Sequence, residues 1–479
     1  MADKESGLGI TVKKEDDMPE WYQQVCLKSE LAEYSTVKGC MIIKPNGYAI
    51  WENIQKTFDA MIKKHGVRNA YFPLLIPEKF FKMEKEHAEG FNPEVAWLDK
   101  AVTGGERLAI RPTSETIIYD SYSRWVRSYR DLPLKINQWC NVVRWETEAT
   151  KLFLRSREFL WQEGHCVYET EDECEKDTIY YLNLYKKFIE EFLAIPIMEG
   201  KKTDKEKFSG AYKTYSIEAI MPDGKSIQAG TSHNLGQNFA KAFNIKFLDQ
   251  NEKEKFAWQN SWGISTRLIG ALVMTHSDDK GLVLPPKIAP NRVAIIPIAF
   301  EKNKKVLEKA QDIFRELSKH DPILDDRENL TAGFKFHDLE LKGIPLRIEI
   351  GPKDLEKKEV VLVRRDTGTK KSIKISEIKT QVDKELETIQ KDLFEKAKKR
   401  TFEKLVQSEN LNEVIKFIKE RKIILIPLKN SKDVEDTLKE KTGGAKTLNI
   451  PFSQPQIKNK KCIISGEPAD YWVYVGKSY

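Results

Sequence analysis

Apolar residues recur at helical spacing from Tyr48 to Lys64, where Ile50, Ile54, Phe58, Met61 and Ile62 share a face and Gly66 supplies a natural stop. Ala70 to Leu75 then has strand character interrupted by Pro73, which cannot donate to a ladder, so this strand is expected at a sheet edge or against another chain. A long helix feeding such a strand predicts a dimer-forming unit. Pro133 to Glu146 alternates as a strand, and Arg155 to Phe159 is read as its return. Glu171 to Ala194 is a helix with Ile179, Leu182, Phe188, Ile189 and Phe192 on its apolar face. Tyr212 to Ala229 holds two strand-like pieces around the turn Pro222-Asp223-Gly224-Lys225. Phe256 to Thr275 runs through Trp262-Gly263 into an apolar helix. Hairpin-linked strands with flanking helices predict a large antiparallel sheet rather than a doubly wound parallel one.

The texture changes near Pro285-Pro286 and Pro290. Val293 to Ile298 is a continuous apolar strand, Asn303 to Lys319 a helix, and Ile323-Leu324, Leu346 to Ile350 and Val360 to Arg364 further strands, which suggests a compact α/β domain. A long charged helix follows, with Ile378, Val382, Ile389, Leu393 and Ala397 along one stripe. Leu411 to Tyr479 suggests a third, small α/β unit, with a helix over Leu411 to Arg421 and a strand over Ile423 to Pro427. The expected division is a flexible leader over 1–18, a first large domain over 19–288, α/β domains over 289–375 and 409–479, and a linking helix over 376–408.

Composition narrows the class. The chain has 479 residues, 40% hydrophobic and 32% charged, with no apolar run of the roughly 18–20 residues that a membrane span requires. Met1 to Glu20 is charged and lacks an apolar signal core, so a cytoplasmic location is expected. Six cysteines, Cys26, Cys40, Cys140, Cys166, Cys174 and Cys462, include no CxxC pair, as suits free thiols in a reducing compartment. The net charge of +7 lies in the C-terminal third: residues 301–479 carry 39 basic and 31 acidic side chains, the rest 41 and 42. That asymmetry would attract a polyanion such as RNA, or reflects only a Lys-rich solvated face.

Four segments carry candidate chemistry. Arg144-Trp145-Glu146, followed by Arg155-Ser156-Arg157-Glu158-Phe159, offers guanidinium groups, a carboxylate and an aromatic plane on one sheet surface, which suits a nucleotide with its phosphates. Arg111-Pro112-Thr113-Ser114-Glu115-Thr116 puts a hydroxyl and a carboxylate at a helix start, able to hold an ammonium group or to act as a plain cap. Gln228-Ala229-Gly230-Thr231-Ser232-His233 is polar and small, and Gln228, Thr231 and His233 can share one face. Gly263-Ile264-Ser265-Thr266-Arg267 opens the apolar helix with a cation, an arrangement that favours phosphate. There is no P-loop, no helix-opening GxGxxG and no nucleophilic triad. Such equipment works by positioning and charge stabilisation.

In this order the segments resemble a class II aminoacyl-tRNA synthetase. Tyr48 to Pro73 is similar to motif 1, Arg144 to Phe159 to motif 2, and Gly263 to Arg267 with its helix to motif 3. The blocks Arg111 to Thr116, Phe153 to His165, Ala229 to His233 and Leu282 to Pro286 resemble the prolyl-tRNA synthetase family of the archaeal/eukaryotic type, from about residue 18 onward. The resemblance implies an α+β fold: a class II antiparallel-sheet catalytic domain, an α/β anticodon-binding domain and a small α/β C-terminal domain. It implies formation of prolyl-adenylate from L-proline and ATP, with Mg2+, then prolyl transfer to the terminal adenosine of tRNA(Pro). It also implies a cytoplasmic homodimer, with neither membrane nor DNA as a partner.

Residue roles follow from the same resemblance. Arg144 would clamp the proline carboxylate and the α-phosphate, Glu146 would meet the adenine amino group and Phe159 would stack on the ring. Arg155 and Arg267 would hold the β- and γ-phosphates, with Gln228, Thr231 and Ser265 at nucleotide-binding positions. Thr113 and Glu115 would receive the proline amine, and Trp161, Glu163, His233, Phe91 and Phe208 would form the proline pocket. The loop Thr147 to Leu152 would meet the tRNA acceptor end, and Glu340 and Lys353 are candidates for reading anticodon bases. Related chains often hold zinc with four cysteines in the C-terminal domain. Here only Cys462 lies in that region, so a fold kept without its metal is expected. The stretch from His165 to Trp262 leaves no room for the bacterial-type editing domain. Gly476-Lys477-Ser478-Tyr479 resembles the family's ending, where the chain terminus approaches the active site. Alternative readings are a class IIa synthetase for threonine, glycine or histidine, and a synthetase-derived binding protein without catalysis.

Overall fold

A computed structural model describes residues 9–87, 95–99, 103–145 and 150–479, with residues 83–87 by backbone alone. The largest sheet has eight strands: β1 (Arg68–Asn69), β2 (Leu134–Val143), β3 (Glu158–Tyr168), β4 (Met198–Lys201), β5 (Lys213–Ile220), β6 (Ser226–Gly236), β7 (Trp258–Ser265) and β8 (Ile450–Pro451). Their spatial order is β8-β4-β5-β6-β7-β3-β2-β1, antiparallel throughout except where β1 runs parallel to β2.

The helices that pack on this sheet are amphipathic for evident reasons. α1 (Met18–Lys28) starts at Asp17, whose carboxylate accepts from the Glu20 N–H. α2 (Pro45–Lys63) has proline in its first turn and buries Ile50, Trp51, Ile54, Phe58 and Ile62. The apolar pattern foretold this helix, but its start lies three residues earlier than Tyr48. α3 (Glu115–Trp125) and α4 (Glu171–Phe192) follow, the latter opened by a Thr170/Glu173 capping box. α5 (Arg267–His276) buries every residue after its first. The main core lies between α1, α2, α4, α5 and the back of the sheet, where Phe58 stacks on Tyr185 and Tyr181 on Trp262.

One glycine is essential to that face. A Cβ on Gly164 of β3 would lie 2.1 Å from the Trp262 ring of β7, so only glycine lets the indole lie flat across the strand.

The expected strand over Ala70 to Leu75 does not form as one piece. Only Arg68–Asn69 pairs, at the sheet edge, and Leu75–Pro77 pairs instead with Leu108–Ile110. Pro73 stands between the two and removes a donor. The strand expected over Pro133 to Glu146 is also shorter than read. β2 stops at Val143, so Arg144 sits just beyond it, and the return strand begins at Glu158, leaving Arg155 in the loop. The Lys151–Arg155 stretch closes on itself through paired backbone hydrogen bonds, with Phe153 at φ 59° and Leu152, Phe153 and Leu154 buried.

The second domain has a five-stranded sheet in the order Ile323–Leu324, Val293–Pro297, Leu346–Ile350, Glu359–Arg364, Lys370–Lys374. The first three strands are parallel and the last two antiparallel. One face packs on the helix Lys304–Glu316 and on α6 (Ile378–Lys404), whose Ile378, Val382, Leu386, Ile389 and Leu393 join Val293, Ile295 and Ile348 in one core. The linking helix is therefore built into this domain over its first half. The third domain has a four-stranded sheet covered by the helices Leu411–Lys419 and Lys432–Lys441. It also supplies β8 to the eight-stranded sheet, which ties the third domain to the first.

Candidate active site

The front face of the large sheet carries the polar residues singled out in the sequence. Period-2 alternation on β3 sends Phe159, Trp161, Glu163 and His165 forward. Leu160, Gln162 and Gly164 face α4 and the core behind, where the Gln162 amide oxygen accepts from the Tyr185 hydroxyl at 2.5 Å. On β6, Thr231 and His233 face forward, while the Ser232 hydroxyl donates backward to the Thr178 carbonyl at 2.7 Å. Of the forward-facing residues, Phe159, Trp161, Thr231 and His233 line a cavity of about 470 Å3 with Thr113, Glu115, Arg144, Phe208, Gln228, Ser265 and Arg267.

The two cations enter from loops and helix ends, each held by a carbonyl. Arg144 donates Nε to the Pro112 carbonyl at 3.1 Å and lies over the Phe159 and Trp161 rings, 5.4 and 5.6 Å from their centroids. Arg267 donates Nε to the Leu154 carbonyl at 3.1 Å and NH1 to the Gln228 carbonyl at 3.5 Å. It opens α5, so its guanidinium and the helix N-terminus present positive potential together. Its own N–H donates to Ser265 Oγ at 3.2 Å. A β-bulge between Gln228 and Gly230 breaks the β5–β6 register where the Arg267 fork arrives.

At the other end of the cavity the buried Thr113 hydroxyl donates to the buried Glu115 carboxylate in the first turn of α3. The backbone there is held by Arg111, itself 1% exposed, which donates to the Asn141 and Phe72 carbonyls at 2.8 Å each. Phe208 lies against the His233 ring at 4.8 Å between centroids, and Thr214 Oγ1 is 3.0 Å from His233 Nδ1. Burial, and then the nearby His165, push His233 down to about 3, so it is a neutral wall of the pocket at physiological pH.

Glu163 occupies a different level from the one expected. It is 2% exposed beneath the cavity floor, with Oε2 3.0 Å from His165 Nε2 and Oε1 accepting from Gln138 at 3.0 Å. Burial would raise its carboxyl, but hydrogen bonds from His165, Ser114 and Gln138 hold it below the usual range. Tyr119 extends this network, its hydroxyl 3.0 Å from His165 Nδ1. Arg155 does not line the cavity; its backbone closes the loop beside it. Glu146 and Phe91 lie outside the described residues. Glu206 and Thr214 line the cavity without having been singled out in the sequence. Glu206 sits in a run of charged residues with no pattern to mark it, whereas Thr214 lies directly opposite His233 in the β5–β6 register.

In the second domain Glu340 accepts from Arg347 at 3.1 Å, and Lys353 is exposed in the first turn of the helix Pro352–Lys357. At the far end, Tyr479 donates its N–H to the Ser226 carbonyl at 3.0 Å and its hydroxyl to Asp223 at 2.6 Å, and Lys151 of the motif 2 loop lies 5.2 Å over its ring. Cys462 is buried, with the Ser465 N–H 3.5 Å from its sulfur. The described residues bring together no group of three or more His, Cys, Asp or Glu able to hold a metal ion, and they include no helix long and apolar enough to cross a membrane.

Comparison with known proteins agrees with this geometry. Residues 98–276 match the tRNA synthetase class II core domain (G, H, P, S and T) family, residues 292–385 the anticodon binding domain family, and residues 411–479 the prolyl-tRNA synthetase C-terminal family. The chain is 49% identical to "Proline--tRNA ligase" of Agathobacter rectalis over 483 residues, covering 100% of each. It is 48% identical to "Proline--tRNA ligase 2" of Bacillus cereus, with 99% of this chain and 100% of the relative covered. It is 45% identical to the cytoplasmic "Proline--tRNA ligase" of Arabidopsis thaliana, with 99% of this chain and 92% of the relative covered. The chain belongs to the proline--tRNA ligase family of class II aminoacyl-tRNA synthetases.

Proposed function

We propose that the cavity on the front of the sheet is where the chain joins L-proline to ATP, giving prolyl-adenylate and pyrophosphate before prolyl transfer to the 3'-terminal adenosine of tRNA(Pro). The observation that carries this reading is one cavity lined at one end by Thr113 and Glu115 and elsewhere by Arg144 and Arg267. Glu115 takes the proline ammonium, with Thr113 orienting the carboxylate, and Phe208, Trp161 and neutral His233 enclose the pyrrolidine ring. Arg144 bridges the proline carboxylate and the α-phosphate. It screens the repulsion between two anions and aligns the carboxylate oxygen for in-line attack. Phe159 supplies the face on which adenine stacks, and Glu146 the acceptor for its amino group. Arg267 takes the γ-phosphate, with Gln228, Thr231 and Ser265 beside it; Arg155, on the loop next to the cavity, would have to turn inward to join them. Negative charge grows on the bridging and departing phosphate oxygens as pyrophosphate leaves, and fixed cations stabilise it without reorganising. Glu163 acts from below the floor, fixing His165 and Gln138 under the proline pocket.

Magnesium enters with the ATP. Phosphate oxygens and retained waters fill most of its octahedral shell in such sites, and few protein donors are then needed. The basic surplus of the C-terminal third suits tRNA, with Glu340 and Lys353 as candidate contacts to the anticodon and the loop 147–152 near the acceptor end. A homodimer is supported by exposed apolar side chains on one hairpin and the adjoining helix: Tyr34, Val37, Ile42 and Tyr48. We place the enzyme in the cytoplasm and its C-terminal domain without zinc. One tightly held zinc per chain in metal analysis would contradict the second point.

The mechanism is tested with Arg144→Ala in single-turnover adenylate formation. A loss of about a hundredfold or more is expected, the scale of removing one preorganised donor. Formation at the normal rate would contradict it.

A further inference from the structure

The C-terminal end of α5 is held by two cations from distant parts of the chain. Lys14 Nζ donates to the Met274 and Ser277 carbonyls at 2.7 and 2.9 Å, and Arg400 donates NH2 to the Thr275 carbonyl at 2.6 Å. These are the orphan carbonyls of a helix C-terminus, where positive charge is favoured. The ammonium also lies 4.4 Å over the Trp21 ring, whose Nε1 donates to the Asp278 carbonyl at 3.1 Å. Burial, then the charges of Arg400 and Lys396, push Lys14 down to about 7. Two basic groups are thus kept close together in a poorly solvated place, where burial and the neighbouring guanidinium disfavour the charged form of Lys14.

The opposite end of α5 carries Arg267, which lines the ATP cavity and donates to Leu154 of the motif 2 loop. A ten-residue helix spans about 15 Å and moves as a rod, so a shift at its rear reaches its front. Arg400 belongs to α6, whose earlier turns lie in the core of the second domain. Gln390 on the same helix donates to the Glu191 carbonyl of α4 at 2.9 Å. A chain of direct contacts therefore runs from the anticodon-binding domain through Arg400 to the helix that presents Arg267.

We propose that Arg400, with Lys14, is a positioning residue for the ATP site, fixing the rear of α5 so that Arg267 meets the γ-phosphate, and that it ties this site to the anticodon-binding domain. The inference rests on the role given above to Arg267. Lys14 and Arg400 border a recess of about 880 Å3 between the domains, so smaller side chains there are expected to leave the fold intact.

The test is proline-dependent ATP–pyrophosphate exchange with Arg400→Leu, Arg400→Lys and Arg267→Ala, alone and with Arg400→Leu and Arg267→Ala combined. Arg400→Leu is expected to raise the ATP KM about tenfold, the scale of one charge-assisted hydrogen bond, with the proline KM unchanged within about twofold and Arg400→Lys restoring most of the loss. In the Arg267→Ala background, Arg400→Leu should add nothing to the ATP KM. An unchanged ATP KM, additive effects, or equal losses for ATP and proline that track a falling Tm would overturn the inference. If Arg267→Ala alone leaves the ATP KM unchanged, the phosphate-holding role fails first. Should Arg400→Leu not fold, Lys14→Met is put through the same comparisons and decides by the same outcomes.

Discussion

At the scale of single residues, the site separates charges that act from charges that shape. Arg144 and Arg267 line the cavity while donating to carbonyls at its rim, whereas each nitrogen of the buried Arg111 donates to a backbone or side-chain acceptor of the surrounding structure. Glu115→Gln should raise the proline KM about tenfold or more in pyrophosphate exchange with ATP binding kept, because an amide cannot neutralise an ammonium. An unchanged proline KM would remove Glu115 from the site. Burial, the largest influence, holds His276 down at about 3 despite its bond to the Leu193 carbonyl, against an ordinary value of 6.5. The folded state then binds fewer protons than the unfolded state between those values, so His276 contributes stability above pH 6.5 that is lost as the pH falls toward 3. Acid unfolding of His276→Gln, followed by circular dichroism, should be shallower over that window. An identical pH dependence would contradict this. Arg144, Thr113, Glu115, His233 and Arg267 could be picked out because each sits in a short block of unusual chemistry. Glu206 could not, since its neighbours are as charged as any surface loop. The depth of Glu163 was equally hidden, because alternation gives its face of the strand but not what covers it.

At the scale of elements, the long helices were legible and the interrupted strands were not. α2 and α6 carry apolar stripes that survive as buried faces, and α4 starts at Glu171 as its pattern predicts, whereas the short α1 was not read from the sequence. Pro73 marks an edge in either reading, but only the structure shows that it splits the chain between two sheets. The Lys151–Arg155 loop has the apolar content of a strand, yet it turns back through a left-handed Phe153, and so Arg155 leaves the return strand. β8 pairs only two residues and comes from another domain, so no local pattern announces it. Gly164 tests the packing of motif 2 on motif 3. Gly164→Ala should cost about 1–3 kcal/mol through overpacking against Trp262, read as a lower Tm together with weaker ATP binding. A variant of unchanged Tm would show that the indole can shift without cost.

At the scale of the molecule, three domains share a frame rather than a string. The third closes the edge of the catalytic sheet with β8, and its last residue reaches Ser226 and the motif 2 loop. The second reaches the back of the same domain through α6. Sedimentation should give a dimer that dissociates on Ile42→Asp or Tyr48→Asp; a stable, fully active wild-type monomer would contradict the proposed interface. The domain order was legible because each unit has its own periodicity, whereas the contacts that lock the domains depend on single side chains such as Lys14 and Arg400. The central claim is that this cavity selects proline for adenylation. The measurement that tests it most directly is ATP–pyrophosphate exchange screened over the twenty amino acids. The account predicts exchange that depends strongly on proline and weakly or not at all on the others. Exchange driven by threonine, glycine or histidine and not by proline, or no exchange with any amino acid, would contradict it.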